Sequence, residues 1–487
     1  MPGDGGTRLR LFAKMAAFLQ DGGAHKSTWH CRGDGASKFC LLCKNLFTES
    51  SSVCDEDGTN LLRCNVIKKS GLVPAAGKDL RRSARYLAAK VGTIPPGDFT
   101  ELQQALGLTH HPHSILLDRA LDDIVDPVAN YFHDFMHGLF VDGVCNITVY
   151  LVLEAFIVSG MSDVYTQLSS YIGLWDWPGR IYSNQLPDIF AESRKDKHRK
   201  AHHIKCQASD MLSLVPVLAM FVLKILLPRK TCDAACFAFL ALANVVEFIW
   251  FAARGKLDPT QLDLLVEKFL QLFVDAFGFE WLTPKYHWLL HFGDHYRKFG
   301  MLLNCFVLER RHRIAKRYAT DLRNTSKAAN SSLIMEVTSH HLGLLMHSLH
   351  AFRYDIGLLD GRPPSKKVRK ILTDMLDLSG DEEILVALHS RFSAFGICKK
   401  GDVVLIKDDS SYIAGQVLLH ASVSGVSISM VDAWILKSSN LAAGIAKWST
   451  ADATRMLIET SDVLDTVIHT KVHACSVVTT LIPPEFR

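Results

Sequence analysis

Three acidic residues stand out because each lies in a distinctive local pattern. Asp21 precedes a Cys-x-x-Cys pair, Asp134 opens the run Asp-Phe-Met-His, and Glu309 lies in Phe-Val-Leu-Glu-Arg-Arg-His-Arg. In-line phosphoryl transfer uses divalent ions about 4 Å apart, and Mg²⁺ takes oxygen ligands from carboxylates, water and substrate phosphate. If the fold brings these three acids together, they could hold Mg²⁺ or Mn²⁺ for chemistry on phosphodiesters.

Two of these acids follow predicted strands. Asp21 comes at the end of the strand-like run 8–19, and Asp134 comes just after the strand-like run 128–132. Catalytic groups of α/β folds commonly lie at the carboxyl ends of strands. Both positions therefore suit a site at the edge of a sheet.

The second acid has an alternative, and its motif has a simpler interpretation. Asp118 ends the β-like run 114–117 and could take the place of Asp134. His137 lies on the same helical face as Asp134. The pair could also be a helix N-cap beside a buried, hydrogen-bonded histidine.

Cysteines and histidines occur at spacings that suit a metal. Cys40 and Cys43 form a Cys-x-x-Cys pair, which is half of a typical Zn²⁺ site, while ordinary buried thiols are the alternative. His287 and His291 are an i, i+4 pair on one helical face, suited to a shared metal or phosphate. Two half-buried histidines of an amphipathic helix would produce the same pattern.

Two basic clusters could contact the phosphates of DNA. Their members are Arg194, Lys195, Lys197, Arg199 and Lys200 in the first, and Arg310, Arg313, Lys316 and Arg317 in the second. Such clusters neutralise phosphates well, but a solvated charged loop or helix face has the same composition.

Composition bounds the class of protein. With 487 residues, of which 48% are hydrophobic, the chain can bury large cores in two or three domains. Its net charge of +4 is small, so a polyanionic partner would have to meet local basic patches. The 12 scattered cysteines and the lack of an evident secretory signal predict an intracellular, reducing location.

Two apolar runs, 211–227 and 234–253, raise the question of membrane spans. The first is about 17 residues long, at the lower limit for a span. The second contains Asn244 and Glu247, which are costly at the centre of a bilayer. We favour buried helices and expect no membrane, with a membrane protein whose helices lie in 211–253 as the alternative.

Hydrophobic periodicity changes along the chain and predicts five segments. In chain order they are an α/β part at 7–145, an all-helical insertion at 146–283, a helical part with the last acid at 284–355, a connector at 356–394 and a β-domain at 395–487.

The β-domain is predicted from alternating apolar runs at 401–406, 413–419 and 423–431. Their spacing is typical of a small barrel or meander, and we predict an SH3-like β-barrel. A structural or protein-binding role is favoured for it.

The order of the motifs resembles that of the CACTA (En/Spm-type) cut-and-paste transposases. In that family an Asp precedes a glycine-containing stretch and a Cys-x-x-Cys, as Asp21 precedes Cys40 and Cys43, and a Ser-Ile segment leads to Asp-x-Met-His, as 114–117 leads to Asp134. A proline and a His-x-x-x-His pair then run through a glycine to Glu-Arg, here at Pro284, His287, His291, Gly300, Glu309 and Arg310. The match covers roughly 15–325 in sparse motifs whose shared order is its specific feature.

This resemblance implies an RNase H-like fold for the catalytic core and a DDE triad of Asp21, Asp134 and Glu309 that binds Mg²⁺ or Mn²⁺. The histidines that would support this site are His137, His287 and His291. It also implies cleavage and transfer of DNA strands in the nucleus, with DNA as the partner and a homo-oligomer as an assembly state.

One expected part of such an enzyme is missing from the sequence. Only twenty residues precede Asp21, which leaves no room for a separate N-terminal DNA-recognition domain. We therefore expect a truncated copy of a transposable element. A catalytically inactive, domesticated nucleic-acid-binding protein is the alternative.

Overall fold

The computed structural model describes most of the chain. The described residues are 15–49, 51, 61–179, 181, 183–256, 258–306, 331, 334–336, 338–339, 356–379, 382–393, 396–408, 411–472 and 476–487. The chain divides into two compact units, of which the first contains 1–162, 196–215 and 222–310 and the second contains 163–195, 216–221 and 311–487. The insertion predicted at 146–283 is therefore shared between the two units.

Helices account for most of the first unit. The described helices of the whole chain are α1 (Gly22–Trp29), α2 (Gly77–Lys90), α3 (Pro96–Leu106), α4 (Phe135–Leu139), α5 (Val144–Val158), α6 (Val164–Ile172), α7 (Glu192–Ala201), α8 (Ala208–Phe221), α9 (Asp233–Ala252), α10 (Pro259–Phe277), α11 (Pro284–Leu289), α12 (Phe292–Phe299) and α13 (Lys366–Leu376).

Strands are short in the first unit and long in the second. They are β1 (Phe18–Gln20), β2 (Leu46–Phe47), β3 (Leu62–Arg63), β4 (Tyr131–His133), β5 (Trp175–Asp176), β6 (Gly357–Leu359), β7 (Ile384–Ala387), β8 (His389–Arg391), β9 (Ile397–Lys399), β10 (Val403–Asp408), β11 (Ser411–Val423), β12 (Val426–Asn440), β13 (Ile445–Glu459), β14 (Val463–Thr466), β15 (His469–Thr470) and β16 (Val477–Leu481).

The first unit has a small parallel sheet of β1 and β4, with α1 and α2 beside it. Helix α2 is amphipathic and buries Leu80, Ala84 and Leu87 in a core that includes Trp29 and Tyr131. A second parallel pair, β2 with β3, lies after the Cys-x-x-Cys pair. Two-stranded sheets are all that the described part of this unit shows, so the RNase H-like core stays a prediction.

Some local predictions for the first unit agree with the structure, and others do not. The helices predicted at 211–227 and 234–253 are present as α8 and α9. The β-like run 114–117 is instead a turn, because Leu117 N–H donates to the Ser114 carbonyl at 2.9 Å and Leu116 enters the core. The predicted strand 8–19 is a strand over Phe18–Gln20 in its described part, and residues before 15 lie outside the described residues.

Three helical segments are long and apolar enough to cross a membrane when judged by length and composition alone. They are Phe135–Val158, Ala208–Arg229 and Asp233–Ala252, whose most apolar windows are 67%, 50% and 50% buried within the protein. Helix α9 packs along α10, and Asn244 lies on its exposed side. The expected absence of a membrane therefore stays a prediction.

The second unit is built on an antiparallel sheet of nine strands. Their order is β14-β10-β11-β12-β13-β16-β15-β5, with β7 also paired to β11. The hairpin between β11 and β12 turns at Ser424 and Gly425, which both have positive φ, as a two-residue turn that matches strand twist requires. Trp434 and Trp448 fill the core on one face.

The second unit differs in extent from the β-domain predicted at 395–487. Strand β5, from the predicted insertion, pairs with β15, and the predicted connector supplies β6, β7 and β8. The hydrogen-bonded path through the described strands does not return to its first strand. The SH3-like barrel therefore stays a prediction.

Candidate metal centre

The Cys-x-x-Cys pair lies in a loop that backbone hydrogen bonds hold in place. Cys40 and Cys43 follow a 3₁₀ turn and precede β2. Within this loop Lys44 N–H donates to the Val73 carbonyl at 2.7 Å, and the Leu42 carbonyl accepts from Ala75 N–H at 2.9 Å. The loop therefore has few ways to move, which suits a pair of metal ligands.

The second pair of ligands comes from the far end of the same unit. His287 lies in α11, which begins at Pro284, and His291 lies at the junction of α11 and α12. Both side chains turn inward, and they are 2% and 7% exposed. The ring of Phe39, next to the cysteine pair, meets His287 edge-on at 5.6 Å between centroids.

These four side chains form one buried Cys₂His₂ cluster. Their ligand atoms all lie within 4.8 Å of one another. The Nε2 atom of His291 is 3.4 Å from both sulfurs, and His287 Nε2 is 3.4 Å from Cys43 Sγ. Tetrahedral Zn²⁺, with Zn–S about 2.3 Å and Zn–N about 2.0–2.1 Å, separates its S and N ligands by roughly 3.5 Å. The cluster could therefore hold a metal ion such as zinc.

The protonation of the cluster favours a cation. Burial would raise the pKa of Cys40, but the hydrogen bond from Cys43 and the His291 and His287 rings outweigh it and hold this pKa well below its usual value. The hydrogen bond to Cys40, together with burial, raises the pKa of Cys43, so the two thiols share one proton. Burial also lowers the pKa of His287, which keeps that ring neutral as a metal ligand must be.

An outer ring of aromatic side chains surrounds the cluster. His133, the last residue of β4, stacks on Trp288 and on His291, at 4.8 Å and 5.6 Å between ring centroids. Burial lowers the pKa of His133 to about 4. The Nδ1 atom of His287 accepts or donates no hydrogen bond among the described residues. His133 thus brings the end of β4, next to Asp134, into contact with the histidine side of the cluster.

Asp21 and Asp134 lie side by side at the edge of the parallel pair β1 and β4. The paired residues are Phe18 with Tyr131, Leu19 with Phe132, and Gln20 with His133. Asp21 and Asp134 are the next residue on each strand, and neighbouring strands are about 4.8 Å apart. Both carboxylates act on the pKa of the same buried histidine, His25. The structure therefore brings two of the three predicted acids together.

Asp134 is 3% exposed and is held by four donors. Its Oδ1 accepts from Cys305 N–H at 2.9 Å and from Met136 N–H at 3.3 Å, and its Oδ2 accepts from His137 N–H at 3.1 Å and lies 2.5 Å from His137 Nδ1. It is also the N-cap of α4, as the simpler interpretation of this motif predicted. A carboxylate has about four acceptor sites, so a metal ion would have to displace a donor, and His137 Nδ1 is the only side chain among them.

Asp21 is half-buried, and its carboxylate can accept further hydrogen bonds or a metal ion. It is the N-cap of α1, where its Oδ1 accepts from Ala24 N–H at 2.5 Å, and its Oδ2 accepts no hydrogen bond from the described residues. One turn later His25 donates from Nε2 to the Phe132 carbonyl at 2.9 Å, while its Nδ1 accepts from Trp29. Burial lowers the pKa of His25 to about 4. Neutral His25 therefore ties α1 to β4 and fixes the spacing of the two acids.

The remaining predicted residues are placed as follows. Glu309 and the second basic cluster, which contains Arg310, Arg313, Lys316 and Arg317, lie outside the described residues. Asp118 is exposed and caps a 3₁₀ turn by accepting from Ala120 N–H. It follows a turn and not a paired strand, so Asp134 is the acid that the structure places beside Asp21.

The first basic cluster lies on α7, and part of its charge is already paired. Arg199 forms a two-oxygen ion pair with Glu154, and Lys195 pairs with Glu192 at 2.9 Å. Lys197 and Lys200 are exposed, and Arg194 is half-buried. The cluster therefore offers a partner fewer free cations than its sequence suggests.

Several residues of the centre escaped the sequence interpretation. His133 and His25 were overlooked, although each lies one residue or one turn from a predicted acid. His295 continues the spacing of His287 and His291, and it accepts from His133 N–H at 3.2 Å. Cys305 belongs to a second group of ligand atoms with Asp134 and His137. The adjacency of histidine to the acids was the available signal.

Comparisons with known proteins leave the family open. The chain matches no protein-family model, no curated protein and no solved structure. The resemblance to CACTA transposases therefore rests on the motifs and is taken up below as a proposal.

Proposed function

We propose that this protein is a DDE-type transposase-like enzyme that cleaves and transfers DNA strands, with a structural zinc ion on Cys40, Cys43, His287 and His291. The observation that carries the proposal is the placement of Asp21 and Asp134 on adjacent parallel strands, one residue beyond the last paired residues. Acids at that edge are where a metal-dependent phosphoryl-transfer site is expected.

The zinc ion would act on structure and not on the reaction. The sequence separations between the cysteines and the histidines are 244 to 251 residues, so one ion would join the loop after α1 to the helices α11 and α12. Four ligands close the coordination sphere, which is typical of structural zinc. The ion would thus fix the chain on both sides of Asp134.

The length of the chain limits the distance between Asp134 and the third acid. Cys305 N–H binds Asp134, and Glu309 follows Cys305 by four residues. Four residues of extended chain span at most about 14 Å. The centre that positions α12 therefore also limits how far Glu309 can lie from Asp134.

In this proposal Asp21, Asp134 and Glu309 would hold Mg²⁺ or Mn²⁺. The ions would activate the attacking oxygen and stabilise the leaving one. Asp21 would offer its Oδ2 atom, and Asp134 would offer the Oδ2 atom that His137 Nδ1 now contacts. His137 is therefore a positioning residue that holds Asp134 until a cation replaces it.

The test is nicking of a supercoiled plasmid in the presence of Mg²⁺ or Mn²⁺. Asp134→Asn should reduce nicking by roughly 10²–10³-fold, because a neutral amide cannot replace an anionic ligand. Asp118→Asn is the matched control, since both residues cap a helical turn with the side chain, and it should nick as wild type does. Equal loss in both variants would contradict the proposal. A wild-type protein that binds DNA without nicking it would favour the inactive, domesticated alternative.

A further inference from the structure

Helix α2 carries a basic surface that has no part in the centre described above. Its fourteen residues include five cations and one acid, Asp79. Lys78, Arg82, Tyr86 and Lys90 follow one another at intervals of four residues, which keeps them on the outward half of the helix. We name these four residues the α2 stripe.

The α2 stripe faces solvent because the opposite side of α2 is buried. Leu80, Ala84 and Leu87 are 3%, 7% and 1% exposed. In contrast, the side chain of Arg82 is 79% exposed and Tyr86 is 49% exposed. The apolar face of α2 is therefore buried in the core, and the opposite face presents cations and an aromatic ring to solvent.

Helix α2 is also held rigidly. The buried guanidinium of Arg81 donates to the carbonyls of Ile115, Leu116, Leu121 and Val125 and forms an ion pair with Asp122 at 2.8 Å. These carbonyls lie on the segment that leads to β4. A rigid helix loses little conformational freedom when its exposed side chains bind a partner.

The cations of the α2 stripe differ from their neighbour Arg85, which forms a short ion pair at 2.6 Å with Asp122, the carboxylate that it shares with Arg81. Arg82 has only a long contact with Asp79, at 3.8 Å. The ammonium of Lys90 lies over the ring of Tyr86, 5.4 Å from its centroid. The stripe therefore keeps positive charge available for an anionic partner.

We propose that the α2 stripe binds the phosphate backbone of duplex DNA. Twelve residues of helix separate Lys78 from Lys90, which makes the stripe roughly 18 Å long. Phosphates along one DNA strand rise about 3.4 Å along the axis and also rotate around it, so a straight stripe of this length meets only about two or three of them. Three cations and the Tyr86 hydroxyl are groups that contact phosphates and set the position of a protein on DNA. This inference rests on the proposed function, whose substrate is DNA.

The test measures binding of a mixed-sequence duplex, about three helical turns long, by fluorescence anisotropy at several salt concentrations without divalent ions. Lys78→Gln, Arg82→Gln and Lys90→Gln are combined in one variant. We expect roughly a tenfold or greater loss of affinity, and the slope of log K against log salt should fall by about two to three.

A charge-matched control removes three exposed lysines from separate elements, by Lys230→Gln, Lys268→Gln and Lys407→Gln. It should change the slope by less than about one. Equal effects of the two triple variants would overturn the inference, because the protein would then respond to total charge alone. The inference would also be overturned if the α2 triple variant bound duplex DNA as wild type does but no longer bound anionic lipid vesicles.

The binding test separates this inference from the proposed function. If wild-type protein binds duplex DNA and the α2 variant matches the control, the inference fails while plasmid nicking can still support the enzyme. If nicking is absent but binding depends on the α2 stripe, the enzyme proposal fails and the binding surface stands.

Discussion

Cysteine and histidine side chains are in contact in the interior of both units, but their surroundings differ. In the first unit Cys40 and Cys43 face His287 and His291, and all four are at most 7% exposed. In the second unit Cys398 lies 3.6 Å from His420 Nε2, and both are fully buried. The two regions share a residue pair, so what surrounds the pair decides what it can do.

In the second unit, hydroxyl groups continue the hydrogen bonding of the cysteine–histidine pair. His420 Nδ1 is 2.8 Å from Ser429 Oγ, and Ser429 Oγ is 3.1 Å from Thr460 Oγ1. His420 and Ser429 are cross-strand neighbours on β11 and β12, so the chain of hydrogen bonds crosses the sheet. Both ring nitrogens of His420 thus have a partner among the described residues. A metal ion would add nothing that the hydroxyls do not already supply.

The pKa values of the second pair agree with this neutral role. Burial raises the pKa of Cys398 to about 12 and lowers the pKa of His420 to about 4. In the first unit, by contrast, the hydrogen bond from Cys43 and the rings of His291 and His287 outweigh burial and hold the pKa of Cys40 well below its usual value. Two cysteines beside two histidines thus favour a thiolate at Cys40, whereas a single cysteine beside one histidine stays protonated.

The largest test of this comparison is Cys43→Ser. Structural zinc contributes on the order of 10 kcal/mol to folding at neutral pH. We expect the variant to lose its bound zinc and the amides of the segments around Cys43 and His291 to lose protection from hydrogen exchange. Metal content by atomic emission and exchange by mass spectrometry measure these effects. Wild-type zinc content in Cys43→Ser would contradict the assignment of the centre.

An intermediate effect is expected when pH falls. His420 has a folded-state pKa of about 4 against an ordinary 6.5. The unfolded chain therefore binds more protons between these values, and stability that is fully present above pH 6.5 is lost down to pH 4, by about 3 kcal/mol in total.

His420→Gln should remove this part of the pH dependence, because glutamine keeps hydrogen-bonding groups but does not titrate. Exchange of the β11 and β12 amides at several pH values would measure it. His469, whose pKa is also lowered by burial, remains in both proteins and serves as an internal reference. If the pH dependence of amide exchange in His420→Gln equalled that of wild type, His420 would not be the group that causes it.

The smallest effect is expected for Cys398→Ser, the counterpart of Cys43→Ser. Serine is close in size, and its hydroxyl can donate to His420, so stability should change by only about 1 kcal/mol. Zinc content should not change. A loss of zinc as large as that of Cys43→Ser would erase the difference between the two regions.

Some elements could be predicted from local pattern. Helix α2 follows from its 3.6-residue apolar period, and the strands β10 to β12 follow from alternating apolar residues. The run 114–117 has the same apolar character but forms a turn, because one hydrogen bond from Leu117 to Ser114 closes it. Short apolar runs are therefore poor evidence for strands.

The cysteine pair and the histidine pair of the metal centre could each be recognised in the sequence, but the contact between the two pairs could not. Cys-x-x-Cys and His-x-x-x-His each have a metal-ligand spacing on their own, since the members of each pair are close in the sequence. The prediction that both histidines lie on one helix was wrong, because α11 ends at Leu289 and His291 lies at the start of α12. The contact between the two pairs depends on how α11 packs against a loop that is 244 residues away. Sequence separation carries no information about that contact.

The same division holds for the acids. The sequence alone predicted that Asp21 and Asp134 would each follow a strand, because hydrophobic runs and polar termini are local properties. Of the predicted run 128–132, however, only Tyr131 and Phe132 belong to β4, and 128–130 form a turn. Only the tertiary structure decided that β1 and β4 are parallel neighbours in a register that sets the two acids side by side. Register depends on hydrogen bonds and packing between segments far apart in the chain, and these form only when the chain has folded.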